Sequence, residues 1–89
     1  MITKNIKIIN KLGMHARAAA KFVSLASGFA SKIELERGQR KVNGKSIMGV
    51  MMLAASQGTT VTLYAKGNDE NEAVTRLEDL VNDKFGEEE

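Results

Sequence analysis

Apolar residues in this chain switch between a spacing of two and a spacing of three or four, and that switching dictates the order of its elements. From Ile2 to Ile9, Ile6 and Ile8 lie on one face with Asn5 and Lys7 on the other, as in a strand with one buried side. Asn10 to Met14 interrupt the pattern. From Ala16 the spacing becomes helical, because Ala19, Phe22, Val23 and Ala26 recur at i, i+3, i+4 and i+7 opposite Arg17, Lys21 and Ser24. The spacing predicts a helix over 16–27 that starts within one residue of His15. Gly28 would close it in the left-handed conformation, with Phe29 packed back on the helix end.

Lys32 to Arg37 alternates charge with Ile33 and Leu35, and Gly38-Gln39 suits a two-residue hairpin turn leading into a strand over 40–42. Asn43-Gly44 turns the chain, Ser46 is placed to cap a short helix over 47–53, and Gly58 lies near that helix's stop. Thr60 to Ala65 is the fourth strand. Asp69 and Glu72 have capping-box spacing ahead of a buried stripe of Ala73, Val74, Leu77, Leu80 and Val81. The closing residues 86–89 read as a frayed, solvated acidic tail. The order βαββαβα, with one buried face per strand, implies an α+β fold: an open-faced two-layer sandwich with a four-stranded antiparallel sheet and three helices on one face. Its 89 residues amount to one domain, and with no proline or low-complexity stretch there is no linker or repeat.

Composition removes most chemistries. There is no cysteine, which excludes disulfides, thiolate nucleophiles and thiolate metal sites, and the one histidine leaves no ordinary zinc shell. Net charge is only +2, but residues 1–66 hold eleven Lys/Arg against Glu34 and Glu36, a balance of +9, while residues 67–89 balance at −7. The basic segment suits an acidic protein surface or a nucleic acid. No apolar run approaches the length of a signal peptide or membrane span, so a cytoplasmic address without membrane insertion is expected.

His15 is the leading candidate for covalent chemistry. It falls at the start of the first helix, where unpaired N–H groups favour an anion, and an imidazole in its neutral form is a nucleophile as well as a base. Arg17 supplies a guanidinium fork for phosphoryl oxygens, and Gly13 lets the incoming backbone bend. Together they suggest a histidine that accepts and donates a phosphoryl group. A surface or capping role for a lone histidine stands beside that reading.

Gly13-Met14-His15-Ala16-Arg17, on the first of three helices in a βαββαβα chain, resembles the histidine-containing phosphocarrier (HPr) family of the bacterial sugar phosphotransferase system. The resemblance spans essentially the whole chain and includes a second motif, Lys45 to Met51, similar to the family's regulatory serine segment. It implies phosphorylation of His15 on Nδ1 by Enzyme I, with phosphoenolpyruvate as ultimate donor, transfer to a IIA component, and phosphoryl stabilisation by Arg17. The carrier would act as a monomer without a metal or other cofactor, and would not be an autonomous enzyme. One departure is Ala18, where the family usually has proline; alanine permits the same helix start with a less rigid backbone.

Ser46 has two compatible roles, an N-cap and, by the resemblance, a phosphorylation site for an HPr kinase/phosphorylase. The second helix is apolar almost all round, so part of it must face solvent. Val50, Leu53 and one or two of the others suffice for packing; the remainder, with Met48 and Met51 as the family-like positions beside Ile47, would form an adaptable docking patch near His15, rimmed by Ala20, Ser24 and Lys45. Three rivals are weaker. Tyr64 is the only aromatic in a strand, a poor platform for stacking nucleic acid bases. An adaptor without chemistry leaves the Gly-His-Arg placement unexplained, and a hydrolase lacks a nucleophile-base set.

Overall fold

Val61, Leu63 and Ala65 alternate with Thr62 and Tyr64 along β4 (Thr60–Lys66), and both edges of this strand are paired, so its apolar side lies at the centre of the core. Strand β1 (Ile2–Lys7) runs antiparallel on one side with Ile6 opposite Val61, and β2 (Lys32–Arg37) antiparallel on the other with Leu35 opposite Leu63. Beyond it, β3 (Arg40–Asn43) completes a sheet of order β1-β4-β2-β3. Arg37 and Arg40 face each other across the Gly38-Gln39 turn, where Gly38 takes a positive φ of 61°. The structure is a computed structural model and describes all 89 residues.

Three helices, α1 (Ala16–Ser27), α2 (Ile47–Met52) and α3 (Glu70–Asn82), cover one face of the sheet. Phe22, Val23 and Ala26 of α1 and Val74, Leu77 and Val81 of α3 meet Ile6, Ile33, Leu35 and Leu63 in one continuous core. The other face carries Thr62, Glu34, Glu36 and Tyr64, half-buried among themselves. This is the expected open-faced sandwich.

Four local expectations fail for identifiable reasons. Gly28 is right-handed (φ −77°, ψ −10°), because its N–H and that of Phe29 continue into i−3 bonds to Leu25 and Ala26. Asp69 does not close a capping box: its carboxylate accepts from the backbone N–H of Ala30 (2.8 Å) and Ser31 (2.9 Å) and from the Ser31 hydroxyl (2.5 Å), tying the α3 start to the loop before β2. Those bonds, the Ser31 hydroxyl foremost, hold the Asp69 carboxyl below its ordinary range. Helix α2 ends at Met52, within a residue of the expected 53, but Gly58 takes no part in its stop. Arg37 Nη1 donates to the carbonyls of Leu53 (2.8 Å) and Ala54 (3.0 Å), Arg40 Nη1 donates to that of Met52 (2.8 Å), and Ala54 turns left-handed at φ 50°.

The fourth correction concerns residues 86–89, which lie against the body of the protein. Lys84, Phe85 and Gly86 form a turn with three successive positive φ values (57°, 56° and 78°), and Phe85 is fully buried. Lys21 Nζ donates to the Phe85 carbonyl (2.6 Å), Lys11 N–H donates to the Glu89 carbonyl, and Lys11 Nζ pairs with a Glu89 carboxylate oxygen (3.3 Å). A buried phenyl ring and attraction to the basic segment hold down what its charge alone would leave in water.

Candidate functional site

The loop between β1 and α1 is shaped by close backbone approach. Gly13 has a φ of 67°, and a Cβ there would lie 2.6 Å from the Ala55 carbonyl oxygen and 2.8 Å from Ser56 Cα, so no other residue fits without moving the chain. Met14, buried, donates its N–H to the Ala55 carbonyl (2.8 Å). The loop therefore delivers His15 at a defined place, the N-cap of α1, with extended backbone (φ −72°, ψ 177°) and its carbonyl accepting from Ala19 N–H (2.8 Å).

The His15 side chain does not cap its own helix. Its Nε2 lies 2.5 Å from Glu87 Oε2, a contact across 72 positions of sequence, and its Nδ1 has no protein partner. A carboxylate is an acceptor only, so this contact places a proton on Nε2 and leaves the lone pair of a neutral ring on Nδ1. Glu87 is held in turn by Asn10 Nδ2, which donates to its Oε1 (3.0 Å). These two hydrogen bonds, first Asn10 and then His15, keep the Glu87 carboxyl below its ordinary range.

Arg17 lies two residues along α1, exposed and in no ion pair or hydrogen bond, while no acid occupies the first turn of the helix. The other nearby cations are engaged: Lys21 on the Phe85 carbonyl and Lys11 on Glu89. His15, Arg17 and the closing segment line an open groove of about 850 Å³ whose floor also includes Leu12. Unpaired helix N–H groups, an uncommitted guanidinium and an in-plane nitrogen lone pair facing solvent suit a tetrahedral dianion bonded to the ring. No three His, Asp or Glu side chains form a metal-binding cluster.

Residues 2–83 match the family described as the PTS HPr component phosphorylation site. The chain belongs to the HPr family. HPr of Neisseria meningitidis serogroup A is 53% identical over 87 residues, 98% of each chain. The crystal structure of HPr-C-His from Thermoanaerobacter tengcongensis has a TM-score of 0.96 and 54% identity over the whole of both chains. A second structure from that organism, described as an HPr dimer, has a TM-score of 0.79 at 54% identity, covering 98% of this chain and all of that one. HPr proteins are phosphocarriers of the phosphotransferase system.

Within this HPr fold the second motif is also in place. Ser46 caps α2, its Oγ accepting from Gly49 N–H (3.1 Å). Val50 and Leu53 are buried, while Ile47 (44% exposed), Met48 (70%) and Met51 (39%) face solvent together with Met52 (57%), a residue that the sequence pattern does not single out. Ala20 and Ser24 are exposed on α1, the helix that packs against α2. Lys45 is committed elsewhere, donating to the Phe29 carbonyl (2.7 Å). Ala18 is fully buried in the first turn of α1, which starts at the expected place without a proline.

Glu87, Asn10 and Leu12 were missed as site residues. Glu87 and Asn10 touch partners 72 and 77 positions away, and no local pattern announces such contacts. The usable signals were indirect: Phe85 is a large apolar residue in an otherwise acidic end, and the basic and acidic halves of the chain attract.

Proposed function

We propose that this chain accepts a phosphoryl group on Nδ1 of His15 from phosphorylated Enzyme I and donates it to a IIA component. The observation that carries the proposal is the commitment of Nε2 to Glu87, which leaves Nδ1 unprotonated beside Arg17 and the N-terminus of α1. Nδ1 attacks phosphorus in line as the donor's bond to phosphorus breaks, and the ring keeps its Nε2 proton, becoming cationic opposite the Glu87 carboxylate. Arg17 and the helix N–H groups face the developing phosphoryl charge. Transfer onward reverses these steps on the partner's nucleophile.

The chain works as a carrier and not as an autonomous enzyme, so the partner supplies the other half of each transfer site. Ile47, Met48 and Met51, with Ala20, Ser24 and the Lys45 stem at the edge, form the proposed docking surface, and the basic rim suits acidic partners. Ser46 is proposed as a regulatory site for an HPr kinase/phosphorylase, where a dianion would repel the same acidic surfaces. A monomer acting in the cytoplasm is proposed; no helix is long and apolar enough to cross a membrane. Against a nucleic-acid role, Lys41 Nζ sits 4.0 Å over the ring of Tyr64, the only aromatic on the open sheet face.

Incubation with Enzyme I and labelled phosphoenolpyruvate tests the proposal. An acid-labile, base-stable label that disappears in His15→Ala is expected; full labelling of that variant refutes the site. ATP and the kinase should give an acid-stable phosphoserine that Ser46→Ala lacks.

A further inference from the structure

Asn10 is fully buried, one of two polar residues in the core, and its Nδ2 spends both protons on groups that lead to His15. One goes to the Gly13 carbonyl (2.8 Å), on the loop that carries the histidine backbone. The other goes to Glu87 Oε1 (3.0 Å), whose second oxygen holds the imidazole. The Asn10 carbonyl accepts in addition from Gly13 N–H (3.1 Å). Its side-chain oxygen, by contrast, is buried with no partner at all. Burying an unpaired acceptor is unfavourable, so what this position requires is the NH₂ group.

We infer that Asn10 is a positioning residue for phosphoryl transfer: its amide sets the place of the Glu87 carboxylate relative to the His15 backbone, and thereby the tautomer and aim of the imidazole. The inference rests on His15 being the phosphoryl acceptor. It adds that the acceptor nitrogen is selected from the far side of the ring by a two-bond relay, Asn10 to Glu87 to Nε2. Aspartate at position 10 would replace the donor by a second carboxylate facing Glu87, and serine would keep a donor near the Gly13 carbonyl but fall short of Glu87.

The test combines ¹⁵N NMR of the His15 ring near pH 8 with the initial rate of labelling by Enzyme I. The intact protein should show the Nε2–H tautomer. Asn10→Ser and Asn10→Asp should shift the ring toward a mixture of tautomers and slow labelling about tenfold, comparable to the low end of what losing the outer hydrogen-bond partner of a metal-bound histidine costs. In a Glu87→Ala background the Asn10 substitution should add nothing further to either readout, because both act through one relay. An unchanged tautomer and rate in folded Asn10 variants overturns the inference, as does a full additional effect in the Glu87→Ala background. A merely structural asparagine would lower stability and leave the tautomer alone. Should the variants not fold, the intact protein still decides: the Asn10 side-chain NH₂ resonances must move as Glu87 titrates, and resonances indifferent to that titration overturn the relay. Absence of any label on the intact protein would instead refute the phosphocarrier reading of His15, and the tautomer data would stand apart from it.

Discussion

Two helices in this protein begin at a residue of functional interest, and they hold it in opposite ways. At the start of α2, Ser46 uses its side chain on its own helix, accepting from Gly49 N–H three residues on. At the start of α1, His15 makes no cap; its ring is held from outside by Glu87, itself held by Asn10 and anchored through the buried Phe85. A side chain spent on local structure is stabilised locally and is legible locally. A side chain reserved for chemistry leaves its own helix unsatisfied and must be steadied by groups distant in sequence.

Breaking the distant support should have the largest effect. Phe85→Ala removes a fully buried ring beneath the final turn and should cost about 3–5 kcal/mol in chemical denaturation. It should also release Glu87, so that labelling of His15 slows even under conditions where the protein is fully folded. Labelling at the normal rate would mean that the final segment is a structural cover alone. Gly13→Ala forces a Cβ against the Ala55 carbonyl in a left-handed conformation and should cost about 1–3 kcal/mol, with the His15 backbone displaced.

Breaking the local support should be milder and separable. Ser46→Ala loses one cap bond, about 1 kcal/mol by thermal denaturation, and the rate of His15 labelling should stay within twofold of the original. Equal loss of labelling in this variant would erase the contrast between the two helix starts. Acidification should have the smallest effect. Because the folded-state pKa of Glu87 is depressed, its bonds to Asn10 and His15 contribute stability above the ordinary carboxylate pKa of about 4.3, and that contribution is lost as pH falls through the folded value. Stability of Glu87→Gln should therefore fall less than that of the original protein between about pH 5 and pH 2.

The same contrast explains what the sequence could reveal. Strands β1, β2 and β4 and helices α1 and α3 follow from periodicity, because each presents one apolar face to a shared core, and Ile6, Leu63 and Val74 had no other place to go, whereas β3 and α2 were legible from the turn and cap residues beside them. Ser46 as a cap and His15 at a helix start rest on neighbours within three residues, and both were legible. The end of α2 was legible to within a residue, but Gly28, Asp69 and the part given to Gly58 were misjudged: i−3 bonds kept Gly28 right-handed, Ser31 took the Asp69 carboxylate, and Arg37 and Arg40 hold the carbonyls of Met52 to Ala54 in place of a glycine stop. Glu87 was lost in a run of three glutamates that differ only in what lies opposite each. The exposed face of α2 was foreseen as a class, since six residues with almost no polar side cannot all be buried, yet Met52 shows that its membership depends on packing.

If Glu87 occupies Nε2 so that Nδ1 carries the phosphoryl group, the phosphorylated ring must record both bonds. Combined ³¹P and ¹⁵N NMR of the protein phosphorylated by Enzyme I and phosphoenolpyruvate reads this directly. One phosphoramidate on His15, coupled to Nδ1, with the proton on Nε2, is the expected result. Phosphorus coupled to Nε2, or residing on any other residue, would contradict it.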